Sequence, residues 1–443
     1  MPNNNNKEST ISLRPYRGTN DYLPDEWRII QWIFSIWRQT AEAFGYEEYS
    51  SPILESYELY AAKSSEEIVN EQLFSFEDRG GRRLVIRPET TPSLARIVAS
   101  RGSSMRQPIR MFSIATCMRF ERPQRGRTRQ FEQLNVDVLG GPEQPADFEI
   151  LTSILLMMRK LGVPNDLFEI RVNHRKAVEY VLNSKLGITT KGTQDLIRTL
   201  DAYAKMDAST FETKLRDHGL SNPQVSGLVK FMDGDTEYLR EIESSCPHFA
   251  YLVDLVDAVR SAVGENAGSI RIAPEVMRGF DYYTGVVFEV FDVSPENRRA
   301  LFGGGRYDDL VGALSKFAVS GVGYGVSEVS ILNFLSTHDL LPRITKNVEV
   351  FAFAASTDFL CDLQSLCCRL RTEGVQVELH PSALNIGKGL KLASSAGARV
   401  ALFLGEEEYA RKEGAMKNLR TQTQLTFAFE NVAAIYHESI KAE

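Results

Sequence analysis

The residues with the clearest chemical potential are five arginines between Arg119 and Arg129, in the stretch MRFERPQRGRTRQFEQLNVD (118–137). Glu121 is the single acid among them. A strand-like run precedes them at residues 109–117, and apolar residues alternate after them at 131–138. This pattern predicts two antiparallel strands joined by a long cationic loop. Guanidinium groups at this density repel one another unless an anion lies between them, which favours a polyphosphate or nucleic-acid ligand over a solvated hairpin.

Three other stretches place polar side chains beside glycines or strand ends. In RPETTPS (87–93), Glu89 either meets a cationic partner or caps the helix that follows. In MRGFDYYTGVVF (277–288), alternation from residue 284 to 290 predicts a strand, on which adjacent tyrosines would point to opposite faces. The stretch FGGGRYDDL (302–310) is either a glycine-rich turn or a place where the backbone approaches a small ligand.

Composition narrows the class of protein. The chain has 443 residues, enough for two or three domains, and its net charge of −7 argues against general coating of nucleic acid while allowing a local basic site. The five cysteines show no CxxC spacing, which predicts reduced thiols, no protein-held metal and a cytoplasmic location. No apolar run approaches ~18 residues, so we expect no membrane span. Residues 1–12 have the composition of a disordered tail.

The rest of the chain predicts two folded domains. A helix capped by Asp25 and stopped by Gly45 carries an apolar stripe that suits a core or a dimer interface. A strand at 47–54 contains Pro52, which restricts it to an edge or an interface. The elements expected next are a hairpin (74–76 with 84–87), a helix (148–161), a strand (167–172) and a helical region (175–266, clearest at 190–201 and 237–263). After a linker at 341–342, the expected elements are strands at 348–354, 375–379 and 400–404 and helices at 358–374 and 386–395.

These stretches resemble one family. The arginine-rich stretch is similar to motif 2 of class II aminoacyl-tRNA synthetases, and RPE-x-T, RG-x-DYYTG-x-VFE and GGRYD-x-L resemble segments of histidyl-tRNA synthetases. The resemblance extends over residues 16–436, with the motifs in the family's order. It implies an α+β fold: a catalytic domain at 13–340 built on an antiparallel sheet, with a helical insertion at about 175–266. A mixed α/β domain of the anticodon-binding type would follow at 346–443.

The resemblance also implies which residues form the site. The set expected to bind ATP is Arg119, Glu121, Arg127, Phe131 and Arg278. The set expected to bind histidine is Glu89, Thr91, Gln133, Asp137, Tyr282, Tyr283 and Tyr307. The loop residues expected to meet the tRNA acceptor end are Arg122, Gln124 and Arg125. Arg119 and Arg278 would be catalytic, on opposite sides of the ATP α-phosphate. Asp137, where the family more often has glutamate, and Tyr283 would bracket the imidazole ring.

The implied function is that of a histidine–tRNA ligase, which activates L-histidine with ATP and transfers it to tRNA(His). Neither step needs a protein nucleophile, because positioning and charge stabilisation supply the catalysis. Mg²⁺ would be bound mainly by the phosphates. The helix and proline-containing strand before residue 55 resemble motif 1, which implies a homodimer. The competing interpretation is a non-catalytic paralogue that senses histidine or tRNA as a regulatory subunit.

One stretch departs from the family pattern. In GVGYGVSEVS (321–330), the spacing of the glycines matches motif 3, yet Glu328 stands where the family has the arginine that holds the ATP γ-phosphate. Three outcomes are open at this point: Glu328 recruits a metal ion, another arginine substitutes, or adenylation is impaired. The last of these favours the regulatory paralogue.

Overall fold

The computed structural model describes residues 12–61, 68–188, 193–203, 206–264, 269–277, 283–297, 299–346 and 348–441. Residues 1–11 of the expected tail, and the site residues Arg278 and Tyr282, lie outside them. The chain divides into two compact units, one that ends at Pro342 and one that begins at Arg343. Within the described residues, no helix is long and apolar enough to cross a membrane.

The elements of the first unit alternate irregularly between helix and strand. Its helices are α1 (Pro24–Ala43), α2 (Tyr57–Ala61), α3 (Thr91–Arg101), α4 (Glu143–Lys160), α5 (Arg175–Tyr180), α6 (Thr193–Asp201), α7 (Ala208–Asp217), α8 (Asn222–Met232), α9 (Thr236–Ser245), α10 (Pro247–Val263) and α11 (Glu328–Thr337). Its strands are β1 (Glu47–Glu48), β2 (Leu54–Ser56), β3 (Phe74–Glu77), β4 (Arg83–Ile86), β5 (Ile109–Met118), β6 (Gln130–Leu139), β7 (Phe168–His174), β8 (Ile270–Ile272), β9 (Val286–Asp292), β10 (Ala300–Arg306) and β11 (Gly321–Ser327).

An eight-stranded sheet in the order β1-β5-β6-β11-β10-β9-β7-β8 forms the centre of this unit. Its inner pairs are antiparallel, and the edge pairs β1–β5 and β7–β8 are parallel. Alternate residues make one face apolar, including Val136, Val322 and Phe288, and α1, α4 and α10 cover that face. A smaller sheet has the order β2-β4-β3. The α+β class and the antiparallel catalytic sheet are therefore confirmed.

Two expectations near the N-terminus were wrong in detail. Helix α1 begins at Pro24, so Asp25 lies in its first turn, and the Glu26 carboxylate accepts the Leu23 N–H at 2.9 Å to complete the cap. The strand expected at 47–54 is split, because β1 pairs with β5 whereas β2 joins the smaller sheet. Pro52 has no N–H to donate to a ladder, which explains why the strand does not run through it.

The chain between β7 and β8 is helical, as expected. His174 is the N-cap of α5, and its Nδ1 accepts the Lys176 N–H at 3.2 Å. Burial lowers the pKa of His174 to about 3, so the ring is neutral and structural. The long helix expected at 237–263 is two helices, because Cys246 is extended and Pro247 opens α10.

A buried ion pair fixes β10 to the helices behind the sheet. The Arg306 Nη2 lies 2.6 Å from the Asp147 Oδ1, and the Tyr251 hydroxyl donates to Oδ2 at 2.7 Å. Burial raises the pKa of Asp147 to about 6, although Arg306 and Tyr251 oppose the shift. Removing one member of such a pair typically costs ~3–5 kcal/mol. The pair therefore fixes the glycine-rich strand against α4 and α10.

The second unit is the mixed α/β domain that the sequence predicts. Its strands are β12 (Val350–Ala354), β13 (Val377–Leu379), β14 (Val400–Leu404), β15 (Glu413–Asn418) and β16 (Gln424–Ala428), and its helices are α12 (Leu360–Thr372), α13 (Ile386–Ser395), α14 (Glu406–Ala410) and α15 (Val432–Lys441). The sheet order is β13-β12-β14-β15-β16, with β12 parallel to both of its neighbours. Every residue of β12 and β14 is buried, as expected for central strands covered on both faces.

Candidate active site

On the face of the central sheet opposite α1 and α4, glycines of β10 and β11 form a surface that we call the glycine floor. Gly303 pairs with Gly325 and Gly305 with Gly323, and Gly321 lies on the same face of β11. An added Cβ would lie 2.8 Å from Tyr283 at Gly305 and 2.5 Å from Tyr307 at Gly321. The glycines therefore let aromatic rings lie directly on the backbone. The stretch FGGGRYDDL contributes a strand here, so the glycine-rich turn considered for it is excluded.

A row of polar side chains borders this floor. Gln133, Asn135 and Asp137 alternate along β6, which places all three on the glycine face. The Gln133 Nε2 donates to the Asn135 Oδ1, and the Asn135 Nδ2 donates to the Thr91 Oγ1 at 3.1 Å. Thr91 opens α3, so this chain of hydrogen bonds connects the end of the RPETTPS stretch to the sheet. All four side chains are buried, which makes the row a fixed set of hydrogen-bonding groups.

Asp137 lies at the deep end of the row. Its Oδ1 accepts the Tyr307 hydroxyl at 2.5 Å, and a Cβ at Gly323 would overlap that oxygen. Burial raises the pKa of Asp137 to about 7, although the bond from Tyr307 opposes the shift, and the charge of Glu89 adds to it. Tyr283 packs into the same cluster as Tyr307. Asp137 is therefore a carboxyl that changes charge near neutral pH inside an aromatic pocket.

The charged site residues Glu89 and Arg119 both lie close to Pro88. Glu89 is half-buried, and Thr90 rather than Glu89 is the N-cap residue of α3. The Arg119 Nε donates to the Pro88 carbonyl at 3.0 Å, beside Glu89. The Arg119 guanidinium also lies 5.3 Å from the centre of the Phe131 ring. A guanidinium and an aromatic face therefore lie together beside the backbone that carries Glu89, at the loop end of β5 and β6.

Two of the loop arginines, Arg125 and Arg127, already have protein partners, so their charges are compensated without a bound anion. Arg125 lies 2.7 Å from Glu296 and bonds to Asn333 and Thr337, and Arg127 lies 3.4 Å from Glu121. The Arg125 and Glu296 side chains are each more than half exposed, so this pair contributes little to stability. These contacts leave the loop folded against α11. Arg122 and Gln124 lie exposed near its tip.

The segment before α1 holds the base of this loop. The Arg129 guanidinium lies 4.3 Å from the Phe120 ring and donates to the Tyr16 hydroxyl at 2.6 Å. The Arg129 N–H donates to the Gly18 carbonyl at 2.7 Å. Gly18 has φ +90°, and a Cβ there would lie 2.8 Å from the Arg129 side chain. We call this set of contacts, made by Tyr16, Gly18, Phe120 and Arg129, the N-terminal clasp.

Glu328 is buried and bonds to the protein backbone. Its Oε2 accepts the N–H of Glu132 at 2.7 Å, and the residue is 1% exposed. Burial raises the pKa of Glu328 to about 8, although the bond from Glu132 opposes the shift, so the carboxyl is mostly protonated at pH 7. The described part of the chain contains no group of three or more His, Cys, Asp or Glu side chains that could hold a metal ion. A metal-recruiting role for Glu328 does not fit this geometry, in which it ties α11 to β6.

Several residues of the site were missed from the sequence. Asn135 was overlooked, although a polar residue at every second position of an otherwise apolar strand indicates a common face. The Glu132–Glu328 contact joins residues far apart in sequence and left no local signal. The N-terminal clasp is of the same kind, since it depends on tertiary contacts across more than a hundred residues.

Known proteins with the same architecture identify the family. A family model described as histidyl-tRNA synthetase matches residues 18–328, and one described as anticodon binding domain matches residues 348–438. The chain belongs to the histidyl-tRNA synthetase family. Within it, the histidine–tRNA ligase of Leptospira biflexa is 34% identical over 96% of this chain and 97% of that protein. The histidine–tRNA ligase of Opitutus terrae is 32% identical over 95% of this chain and 97% of that protein.

A solved structure extends the comparison to the fold. The crystal structure of histidyl-tRNA synthetase from Nostoc sp. PCC 7120 has a TM-score of 0.79 and covers 97% of this chain and 100% of that chain, at 21% identity. The chain therefore has the expected fold, and relatives that span nearly its whole length are histidine–tRNA ligases. The enzyme is an ATP-dependent ligase, and the regulatory paralogue is not favoured.

Proposed function

We propose that the glycine floor and its polar border are where this enzyme activates L-histidine. The observation that carries the proposal is the row of Gln133, Asn135 and Asp137 beside a floor of glycines, on which the rings of Tyr283 and Tyr307 lie. A carboxylate oxygen of histidine attacks the ATP α-phosphorus, the bond to pyrophosphate breaks, and histidyl-adenylate forms. The terminal ribose hydroxyl of tRNA(His) then attacks the activated carbonyl and releases AMP.

The histidine substrate occupies the deep part of this floor. Glu89 and Thr91 hold its α-ammonium group, with Gln133 completing the set, because an acid and two amide or hydroxyl oxygens satisfy three N–H donors. Asp137 and Tyr283 bracket the imidazole ring, and Tyr307 forms a wall. Tyr282 is assigned to the same histidine-binding set. A buried carboxyl that must bond a ring N–H strongly disfavours amino acids that lack one, since its oxygen would stay unpaired.

ATP lies at the loop end of the same face. Arg119 and Arg278 stabilise the charge that develops on the α-phosphate, and Phe131 covers the adenine. With a buried carboxyl at position 328, we assign the γ-phosphate contact to Arg127, whose 3.4 Å contact with Glu121 is long enough to be exchanged for a phosphate. Mg²⁺ bound to the phosphates needs few protein oxygens, and Glu121 is the loop carboxylate available to it. When bound, the ion offsets charge on the leaving pyrophosphate.

The tRNA and a second copy of the chain complete the assembly. Arg122, Gln124 and Arg125 at the loop tip meet the acceptor end, and the second unit binds the anticodon region. A homodimer is supported by exposed apolar side chains in the segment that resembles motif 1 and its neighbours: Leu23, Trp27, Ile53 and Leu54. A cytoplasmic location is supported by five cysteines that are all free thiols.

Histidine-dependent exchange of pyrophosphate into ATP tests the proposed activation step. We expect exchange with L-histidine and none with phenylalanine or glutamine. Exchange that needs no amino acid, or that proceeds equally with all three, would contradict a histidine site. A purified protein that binds histidine but never exchanges pyrophosphate would support the regulatory alternative instead.

The ring contact has its own test. Tyr283→Phe removes one hydroxyl and leaves the ring on the floor, so we expect KM for histidine to rise roughly tenfold, equivalent to about 1.4 kcal/mol. KM for ATP should not change. Tyr180→Phe, on helix α5 away from the glycine face, is the matched control. An unchanged KM for histidine in Tyr283→Phe would exclude the contact.

A further inference from the structure

A group of buried hydroxyls lies next to Asp137 and has no part in the reaction described so far. The Tyr49 hydroxyl, the Thr90 Oγ1, the Ser113 Oγ and the Asp137 Oδ2 are all buried, and none makes a close, well-directed hydrogen bond to a described residue. Thr90 is 0% exposed, Ser113 2% and Asp137 1%. We call Tyr49, Thr90 and Ser113 the hydroxyl cluster.

The members of the cluster come from three elements that converge on one place. The Tyr49 N–H donates to the Phe112 carbonyl at 2.8 Å, which places Tyr49 alongside Ser113 at the edge of β5. Ser113 pairs with Asn135, so its side chain shares the face of the polar row. Thr90 is the residue before α3. Burial raises the pKa of Tyr49 and the charge of Asp137 adds to the shift, whereas the nearby hydroxyls of Ser113 and Thr90 oppose it.

Four unpaired polar atoms in one buried place are costly. Each buried polar group without a partner typically costs ~1–3 kcal/mol, so a protein rarely keeps several together unless something satisfies them. A buried water usually makes about three hydrogen bonds to such groups, and this place offers four. The Asp137 Oδ1 is already bonded to Tyr307. The Oδ2 can accept two hydrogen bonds, one from the imidazole ring and one from a water held by the cluster.

We propose that Tyr49, Thr90 and Ser113 are positioning residues that, through one ordered water, hold Asp137 in the charged form that accepts an N–H of the histidine imidazole. The inference rests on the proposed role of Asp137 in histidine binding. Asp137 is one methylene shorter than the glutamate more usual in this family. Hydrogen bonds donated to a carboxylate stabilise its charge, so losing them makes ionisation harder.

Several charged and titratable groups lie around Asp137 and influence its ionisation, so they must be considered when KM is measured against pH. Glu89 opposes ionisation of Asp137, and Tyr307 favours it. Tyr49 and Tyr324 both feel the Asp137 charge, and Arg87 acts on Tyr49. The imidazole of free histidine titrates near pH ~6.5, but that contribution is the same for every variant. A difference between variants therefore reports the protein group.

The test measures KM for histidine from pH 6 to 8.5 by pyrophosphate exchange, for the wild type, Tyr49→Phe and Ser113→Ala. We expect the acid limb of the profile to move to higher pH by up to about one unit, so that KM at pH 7 rises by up to roughly tenfold and recovers at pH 8.5. KM for ATP should not change. Tyr46→Phe is the matched control, because Tyr46 also carries a buried unpaired hydroxyl but packs in the apolar core on the other side of the sheet.

Asp137→Asn separates this inference from the proposed function. If Asp137→Asn leaves KM for histidine unchanged, the role of Asp137 itself is wrong. If Asp137→Asn raises KM while Tyr49→Phe and Ser113→Ala keep the wild-type profile, the histidine site stands and the hydroxyl cluster is not part of it. An equal rise in KM at every pH would mean that the hydroxyls only fill space, which also overturns the inference. Ser113→Ala removes a single oxygen and so remains informative if Tyr49→Phe fails to fold.

Discussion

Arg119 is the residue with the most direct proposed effect on rate. Its guanidinium lies between the Pro88 carbonyl and the Phe131 ring, where the α-phosphate of ATP would develop charge. Loss of one preorganised charged donor typically costs ~3 kcal/mol or more of barrier. We therefore expect Arg119→Ala to lower the rate of pyrophosphate exchange at least about a hundredfold.

The control for this change lies on β5, the strand that ends just before Arg119. Arg110 of β5 pairs with Glu149 of α4 on the opposite face of the sheet. Arg110→Ala removes the same side chain within ten residues of Arg119, and we expect exchange within a few-fold of wild type. Arg119→Ala with exchange near the wild-type rate would show that the motif 2 assignment is mistaken.

Glu328 makes a prediction about stability and pH. Its pKa of about 8 in the folded state lies above the ordinary value of 4.5. The stability gained from the bound proton is therefore complete below pH ~4.5 and is lost as the pH rises through about 8. Glu328→Gln keeps an oxygen for the Glu132 N–H and does not titrate. We expect its stability relative to wild type to increase between pH 5 and pH 8, by at most about 1.4 kcal/mol per pH unit.

Thermal melts across this pH range measure the difference. Glu407→Gln, at an exposed helix start, controls for the loss of one acidic side chain. A stability difference for Glu328→Gln that stays flat from pH 5 to pH 8 would mean that the carboxyl is ionised in the folded protein. Glu328→Arg, which would restore the family's cation, is expected to destabilise the protein because a 1%-exposed site has no room for a solvated guanidinium.

At this scale the sequence identified residue types better than residue surroundings. The motif residues Glu89, Thr91, Gln133, Asp137 and Tyr307 were found by resemblance, and they do lie together on one face. The partners of Glu328 and Arg125 were not foreseeable, because each contact joins segments about two hundred residues apart. Short-range patterns carry no information about such pairs.

The strands β10 and β11 act as one element because of their glycines. A Cβ at Gly323 would overlap the Asp137 carboxylate and lie 2.6 Å from the Val136 carbonyl. We expect Gly323→Ala to raise KM for histidine at least tenfold, since neither the backbone nor the buried Asp137 can withdraw freely. Gly387→Ala in α13 is the matched control, because its added carbon would come no nearer than 3.9 Å to another residue. Equal effects of the two substitutions on KM would refute the glycine floor.

Elements were predictable where the pattern was long and uninterrupted. The motif 2 strands were expected at 109–117 and after residue 131, and β5 and β6 span Ile109–Met118 and Gln130–Leu139. The errors arose at prolines, where Pro52 divides the strand expected at 47–54 and Pro247 divides the helix expected at 237–263. In both cases apolar periodicity continued across the break and concealed it.

For the whole molecule, the two compact units predict separable activities. The proposed adenylation residues all precede Pro342, and the second unit has its own buried core. A chain that ends at Pro342 is expected to retain pyrophosphate exchange and to lose most transfer of histidine to tRNA. Restoring transfer by adding the second unit as a separate chain is not expected, because the covalent link supplies its effective concentration.

This prediction is tested by measuring pyrophosphate exchange, histidine transfer to tRNA and the oligomeric state on the same preparation. A parallel loss of exchange and transfer, together with a change to a monomer, would mean that the second unit is needed for the proposed dimer rather than for tRNA binding. At this scale the sequence was informative because the motifs occur in the family's order. The sequence did not predict how helices α5 to α10 pack against one another, because their apolar residues follow no clear periodic pattern.

The N-terminal clasp has a practical consequence for where the catalytic unit begins. Helix α1 looks like the natural first element, and a chain trimmed to start at Pro24 would keep every helix and strand. It would nevertheless lose Tyr16 and Gly18, to which Arg129 and the base of the cationic loop are bonded. An expression tag or a shortened start within these few residues is therefore expected to disturb the base of the cationic loop in the candidate active site. The two segments lie more than a hundred residues apart in the sequence.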